Sequence, residues 1–78
     1  MKPVNSLGID CETKGKALII RRLNALKSVL SASDGGVYHQ DANYSQIHVE
    51  TTMTEDELDH WLWSSKANFA YLGAFARN

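Results

Sequence analysis

Two hydrophobic periods share this chain. From Leu18 onward, Leu18, Ile19, Leu23, Leu26, Val29 and Leu30 fill one arc of a helical wheel, with Ile20 at its margin. Thr13 is placed to cap that segment, and Gly35, just after Asp34, can close it in a left-handed C-cap. The spacing predicts a long helix over Lys14–Ala32. Arg22 interrupts its apolar arc. Either its stem packs while its guanidinium reaches the rim, or it is aimed at a carboxylate or phosphate. The first is the simpler reading.

Beyond Gly36 the period drops to two. Val37-Tyr38-His39-Gln40 and Tyr44 to Thr51 flank Asp41-Ala42-Asn43, the mark of a hairpin. With Asn43 left-handed, Val37 faces Ile47 and both join Val49 on the buried side. Tyr38, Tyr44, Gln46, His48 and Glu50 then face the other way.

The most explicit local grammar follows, in Met53-Thr54-Glu55-Asp56-Glu57-Leu58-Asp59-His60-Trp61-Leu62-Trp63. Thr54 with Glu57 forms a capping box, and Met53 with Leu58 a hydrophobic staple. Glu55, Asp56 and Glu57 set negative charge at the positive end of the helix dipole. The helix is predicted from Glu55 to about Lys66, with Leu58, Trp61, Leu62 and Ser65 on one face and Trp63 well off it.

The tail Phe69–Ala76 alternates aromatic with small or aliphatic residues and predicts a last strand. Phe69, Tyr71 and Phe75 are expected inward, with Leu72 on the thinner side. At the other terminus, Val4 to Cys11 alternates only loosely around Gly8, so a first strand over about residues 4–10 is the least defined element. The order is (β)αββαβ, an α+β fold with two helices on one face of a small antiparallel or mixed sheet. With the first strand the arrangement is ferredoxin-like; without it, a three-stranded sheet remains.

Seventy-eight residues form a single domain, 1–78, and leave few large apolar side chains beyond those the core needs. Cys11 is the one cysteine, which excludes an intrachain disulfide and suggests a reducing compartment. No apolar run nears a membrane span and no signal-peptide core is present, so a cytoplasmic protein without membrane partners is expected. The net charge of −1 conceals an uneven distribution. Residues 1–30 carry six basic and two acidic side chains, +4; residues 31–78 carry two and seven, −5.

Catalytic and metal signatures are missing. Cys11 lacks the neighbours of a nucleophile and reads as a small, partly buried apolar residue. His39 and His48 point to opposite sheet faces, and His60 has only Asp56 one turn earlier. No zinc or calcium spacing occurs, and Gly35-Gly36 ends a helix rather than opening one. The expectation is a protein that is not an enzyme and takes no metal or cofactor.

Surface recognition remains. Trp63 is the leading candidate contact, joined by Tyr38, Tyr44 and His48 of the outer hairpin face. Glu55, Asp56 and Asp59 would steer it towards a basic protein surface. The competing class is nucleic-acid binding, with Tyr38, Tyr44, His48 and Tyr71 or Phe75 stacking on bases while Arg21, Arg22 and Lys27 meet phosphates. The acidic balance weighs against that reading.

The format resembles small phage-encoded host-takeover proteins, anti-CRISPR inhibitors among them. Its carriers are a chain of under 80 residues with one cysteine and a hairpin feeding a Thr-Glu-Asp-Glu-Leu-x-x-Trp-Leu-Trp helix. The likeness covers about residues 44–65 and lies in size and form, so it transfers no functional residue. It implies a stoichiometric inhibitor or adaptor that blocks one host protein complex without catalysis.

Overall fold

Phe75 explains the first strand. In the computed structural model, which describes residues 2–77, β1 (Asn5–Glu12) lies in the middle of the sheet. A Cβ at Gly8 would fall 2.2 Å from Phe75 Cζ, so the glycine is the seat of that ring. Phe75 therefore faces outward from the sheet, not inward as the alternation suggested. Leu7, Ile9 and Cys11, on the opposite face of β1, are buried.

After β1, a 3₁₀ turn over Thr13–Gly15 leads into α1 (Lys16–Asn24), then β2 (Val29–Val37), β3 (Tyr44–Thr51), α2 (Glu55–Trp63) and β4 (Tyr71–Ala76). The strands lie in the order β2-β3-β1-β4 and every neighbouring pair is antiparallel. This is the βαββαβ, ferredoxin-like arrangement. Ile19 and Leu23 of α1 and Leu58 and Leu62 of α2 join Leu7, Ile9, Cys11, Ile47, Val49 and Tyr71 in one core. Both helices thus cover one face of the sheet and leave the other open.

The first helix is much shorter than its wheel predicted. Asn24 ends it: its side-chain amide donates to the Ala32 carbonyl at 3.1 Å and its oxygen accepts from the Ala32 N–H at 2.9 Å. This two-point bond ties the helix end to β2. Val29 and Leu30 fit either period, and the strand wins because it buries Val29 and Ala32 while Leu30 turns to solvent. Thr13 caps no helix; its hydroxyl bonds the Ala42 carbonyl and the Ser45 hydroxyl, both at 2.7 Å. Gly35 is no C-cap either. With Gly36, at φ 96°, it forms an irregularity inside β2. There Asp34 accepts from the Gly36 N–H at 2.7 Å and from Lys16 Nζ at 3.0 Å. The Gly36 N–H first, then Lys16, holds the Asp34 carboxyl below its usual range.

That irregularity also resets the hairpin. Ile47 pairs with Asp34 and Val37 with Ser45, and Val37 is exposed rather than buried. Asn43 is not left-handed; instead its N–H donates to Asp41 Oδ1 at 3.0 Å, and the Tyr44 N–H to the Asp41 carbonyl at 3.1 Å. The rest of β3 alternates as its pattern indicated, with Ile47 and Val49 inward.

For α2 the agreement extends to single bonds. The Glu57 N–H donates to Thr54 Oγ1 at 3.1 Å, and the Thr54 N–H returns to Glu57 Oε1 at 2.9 Å. Those bonds lower the Glu57 pKa. The helix stops at Trp63, short of Lys66, and turns carry the chain to Tyr71. Phe69 falls in those turns and is exposed, whereas Tyr71 is buried as expected.

Candidate functional site

Four elements bring large apolar side chains to one end of the molecule. Trp63 closes α2. The Asn68 side-chain amide donates to the Trp63 carbonyl at 3.0 Å, fixing the turn that follows. That turn presents Phe69, and Leu72 follows near the start of β4. Tyr44 opens β3. The end is laced together through β1 and the 3₁₀ turn. The Glu12 N–H donates to the Ala70 carbonyl at 2.8 Å, and the Thr13 N–H to the Asn43 carbonyl at 2.7 Å. Trp63 is 48% exposed, Phe69 53%, Leu72 48% and Tyr44 42%.

Trp63 rests against a fixed neighbour. Its ring meets that of Tyr71 edge-on, with centroids 4.9 Å apart. The Tyr71 hydroxyl in turn donates to Asp59 Oδ1 at 2.5 Å. Burial, then the Asp59 carboxylate, raises the Tyr71 pKa, so the phenol remains a neutral donor. The pair orients the indole from beneath. It also commits Asp59, expected as a steering charge, to an internal bond.

The open sheet face adjoins this end. Tyr38 donates its hydroxyl to Asp10 and accepts from Gln46 Nε2 at 2.7 Å. The Asp10 bond, then burial, raises the Tyr38 pKa. His48 is half-buried, with its ring over Gly35, where a Cβ would fall 2.8 Å from Cδ2. At the far end of β3 Glu50 accepts from Ser6 Oγ at 2.7 Å and pairs with Arg77 at 2.8 Å. Tyr38, Tyr44 and His48 thus share a face, as their alternation indicated, but Tyr38 and His48 are half-buried in it and Tyr44 alone among them is exposed.

Other predicted residues lie elsewhere. Glu55 and Asp56 are exposed at the start of α2, separated from Trp63 by a helix of about 12 Å. Arg21 is exposed on α1, on the helix-covered side of the sheet and away from the aromatic face, and Lys27 is exposed in the turn that follows α1. Arg22 is half-buried, and its Nε has no hydrogen-bond partner, which fits a packed stem. The basic helix and the aromatic sheet face are therefore not brought into one surface. Cys11 is sealed in the core, and burial pushes its thiol up to about 11, leaving almost no thiolate near neutral pH. Among the described residues no three His, Cys, Asp or Glu side chains are grouped to hold a metal ion, and no helix is long and apolar enough to cross a membrane.

Phe69, Leu72, Asp10 and Asp41 were not among the sequence candidates. Asp10 and Asp41 line an open depression of about 400 Å³ with Tyr38, Gln40, Tyr44 and Leu72. Only the pairing of β1 with β3 and β4 shows that these residues meet. Comparison with known protein families, curated proteins and solved structures gave no match to this chain.

Proposed function

We propose that this chain is a non-enzymatic protein-binding module that acts by stoichiometric occupation of a partner's surface. The observation that carries the reading is the exposed apolar end formed by Trp63, Phe69, Leu72 and Tyr44. In so short a chain, large apolar side chains left outside the core stand out from a scattered background. Tryptophan and tyrosine are also favoured anchors at interface hot spots. One of the anchors is positioned before binding: Trp63, by the Tyr71 ring against it and the Asn68 bond to its carbonyl. Fixed anchors lower the entropy cost of association.

The resemblance to phage host-takeover proteins supplies the setting. The chain would occupy one surface of a host protein complex and thereby block it. Affinity capture from bacterial lysate should return one stoichiometric protein partner. Trp63→Ala, with its fold verified by circular dichroism, should weaken that capture at least about tenfold, on the order of 1.4 kcal/mol. Undiminished capture by the folded variant would remove Trp63 from the site. Retention on nucleic acid that falls steeply with salt, with no protein captured, would replace the reading by nucleic-acid binding.

A further inference from the structure

The depression on the open sheet face is mainly apolar in its lining but includes two carboxylates. Tyr38 and Tyr44 contribute aromatic walls, Leu72 an apolar one, and Asp10 and Asp41 two carboxylates. The ion pairs among the described residues join Lys14 to Glu12, Lys16 to Asp34 and Arg77 to Glu50, so neither aspartate has a cation. Asp10 is half-buried, and the Tyr38 hydroxyl occupies its Oδ1, leaving Oδ2 as an acceptor. Gln46 holds the same hydroxyl from the other side, so the Tyr38 ring is fixed.

We propose that this depression is a guanidinium site, which receives an arginine side chain presented by the protein partner. The proposal rests on the protein-binding reading and names the chemistry that the partner brings. An anion would be repelled by both aspartates. A purely apolar group would strip water from Asp10 without replacing its charge partner, which is costly. An organic cation satisfies the carboxylates and gains from the tyrosine faces. Guanidinium suits the site better than ammonium because it stacks flat on a ring while its edge donates to more than one acceptor. A partner's arginine is favoured over a free small cation by continuity, since Leu72 and Tyr44 belong both to the depression and to the exposed apolar end.

The test is an NMR titration of the ¹⁵N-labelled full chain with acetyl-Gly-Arg-Gly-amide and, separately, with its citrulline counterpart, which keeps the shape but loses the charge. The arginine peptide should shift the amides of Asp10, Gln40, Asp41, Tyr44 and Leu72 saturably, in the millimolar range expected of a single side chain. The citrulline peptide should bind at least about tenfold more weakly. Asp10→Asn and Tyr44→Ala should each abolish the saturable shifts while the remaining spectrum stays folded. Equal binding of both peptides, shifts confined to other surfaces, or no saturation would overturn the site. The two readings fail separately. Partner capture that Asp10→Asn leaves unchanged contradicts the guanidinium site alone. Binding of the arginine peptide by a chain that captures no protein contradicts the protein-binding reading alone.

Discussion

Leu58→Ala is expected to lower stability by about 3–4 kcal/mol, a large share of what a chain of this size possesses. Leu58 is fully buried where α2 meets the sheet, and its side chain belongs to the one core that both helices share. Truncation removes the transfer free energy of the side chain and leaves a cavity. The cavity cannot close easily, because the capping box and the paired strands hold both walls. Domains carry roughly 0.05–0.15 kcal/mol of stability per residue, or about 4–12 kcal/mol at this length, so a loss of this size removes from about a third to nearly all of it. Urea unfolding followed by far-ultraviolet circular dichroism measures it. A loss below about 1 kcal/mol would mean that the site repacks and that α2 is not anchored as described.

Gly15→Ala should cost about 3 kcal/mol, at the upper end of the usual cost of overpacking, although it adds a single methyl group. Gly15 is buried between the 3₁₀ turn and α1, and a Cβ there would fall 2.2 Å from Ala70 Cβ. Ala70 cannot retreat cheaply, because its carbonyl accepts the Glu12 N–H and its own N–H is bonded to Ala67. Its neighbour Phe69 would be displaced too, which would disturb the presented apolar end. The second substitution Ala70→Gly transfers the missing methyl space across the contact and should restore most of the loss. A double-mutant cycle reads this directly: strong favourable coupling is expected, and additive effects would show that the close approach is not what Gly15 serves.

The contrast between α2 and its surroundings shows what was legible from residues alone. The capping box and staple act within six residues, so the strand-to-helix junction could be read from Met53 to Leu58. The alternation of β3 was equally plain, because one face is buried and the other is not. β1 was obscured by Gly8, whose reason is a ring far along the chain at position 75. The end of α1 was obscured because Val29 and Leu30 satisfy both periods, and the bond from Asn24 to Ala32 decides between them only once the chain has folded. Phe69 and Phe75 were assigned inward on the assumption that so short a chain needs every ring inside. It does not: small residues such as Ala67 and Ala70 are buried in the core while those rings are not.

The surface followed the same rule. Trp63 was visible as a helical position off the buried face, and Tyr44 and His48 as outward strand positions. Asp10, Leu72 and Phe69 were not, because their grouping depends on β1 pairing with β4 and on the turns that link α2 to it. Glu55 and Asp56 were assigned to the site from charge alone, and they serve the start of α2, at the opposite end of the helix from Trp63.

Hydrogen–deuterium exchange of the complex with the captured partner tests the central claim most directly. The turns over residues 64–70 and 39–43 lie outside the strand ladders and their amides make mostly short-range turn bonds, so they should exchange faster than the ladders in the free chain and any covering partner should be recorded there. The prediction is strong protection of those two segments on binding, with the amides of Lys16–Asn24 unchanged. Protection confined to α1, or a complex that forms without slowing exchange around Trp63 and Phe69, would contradict it.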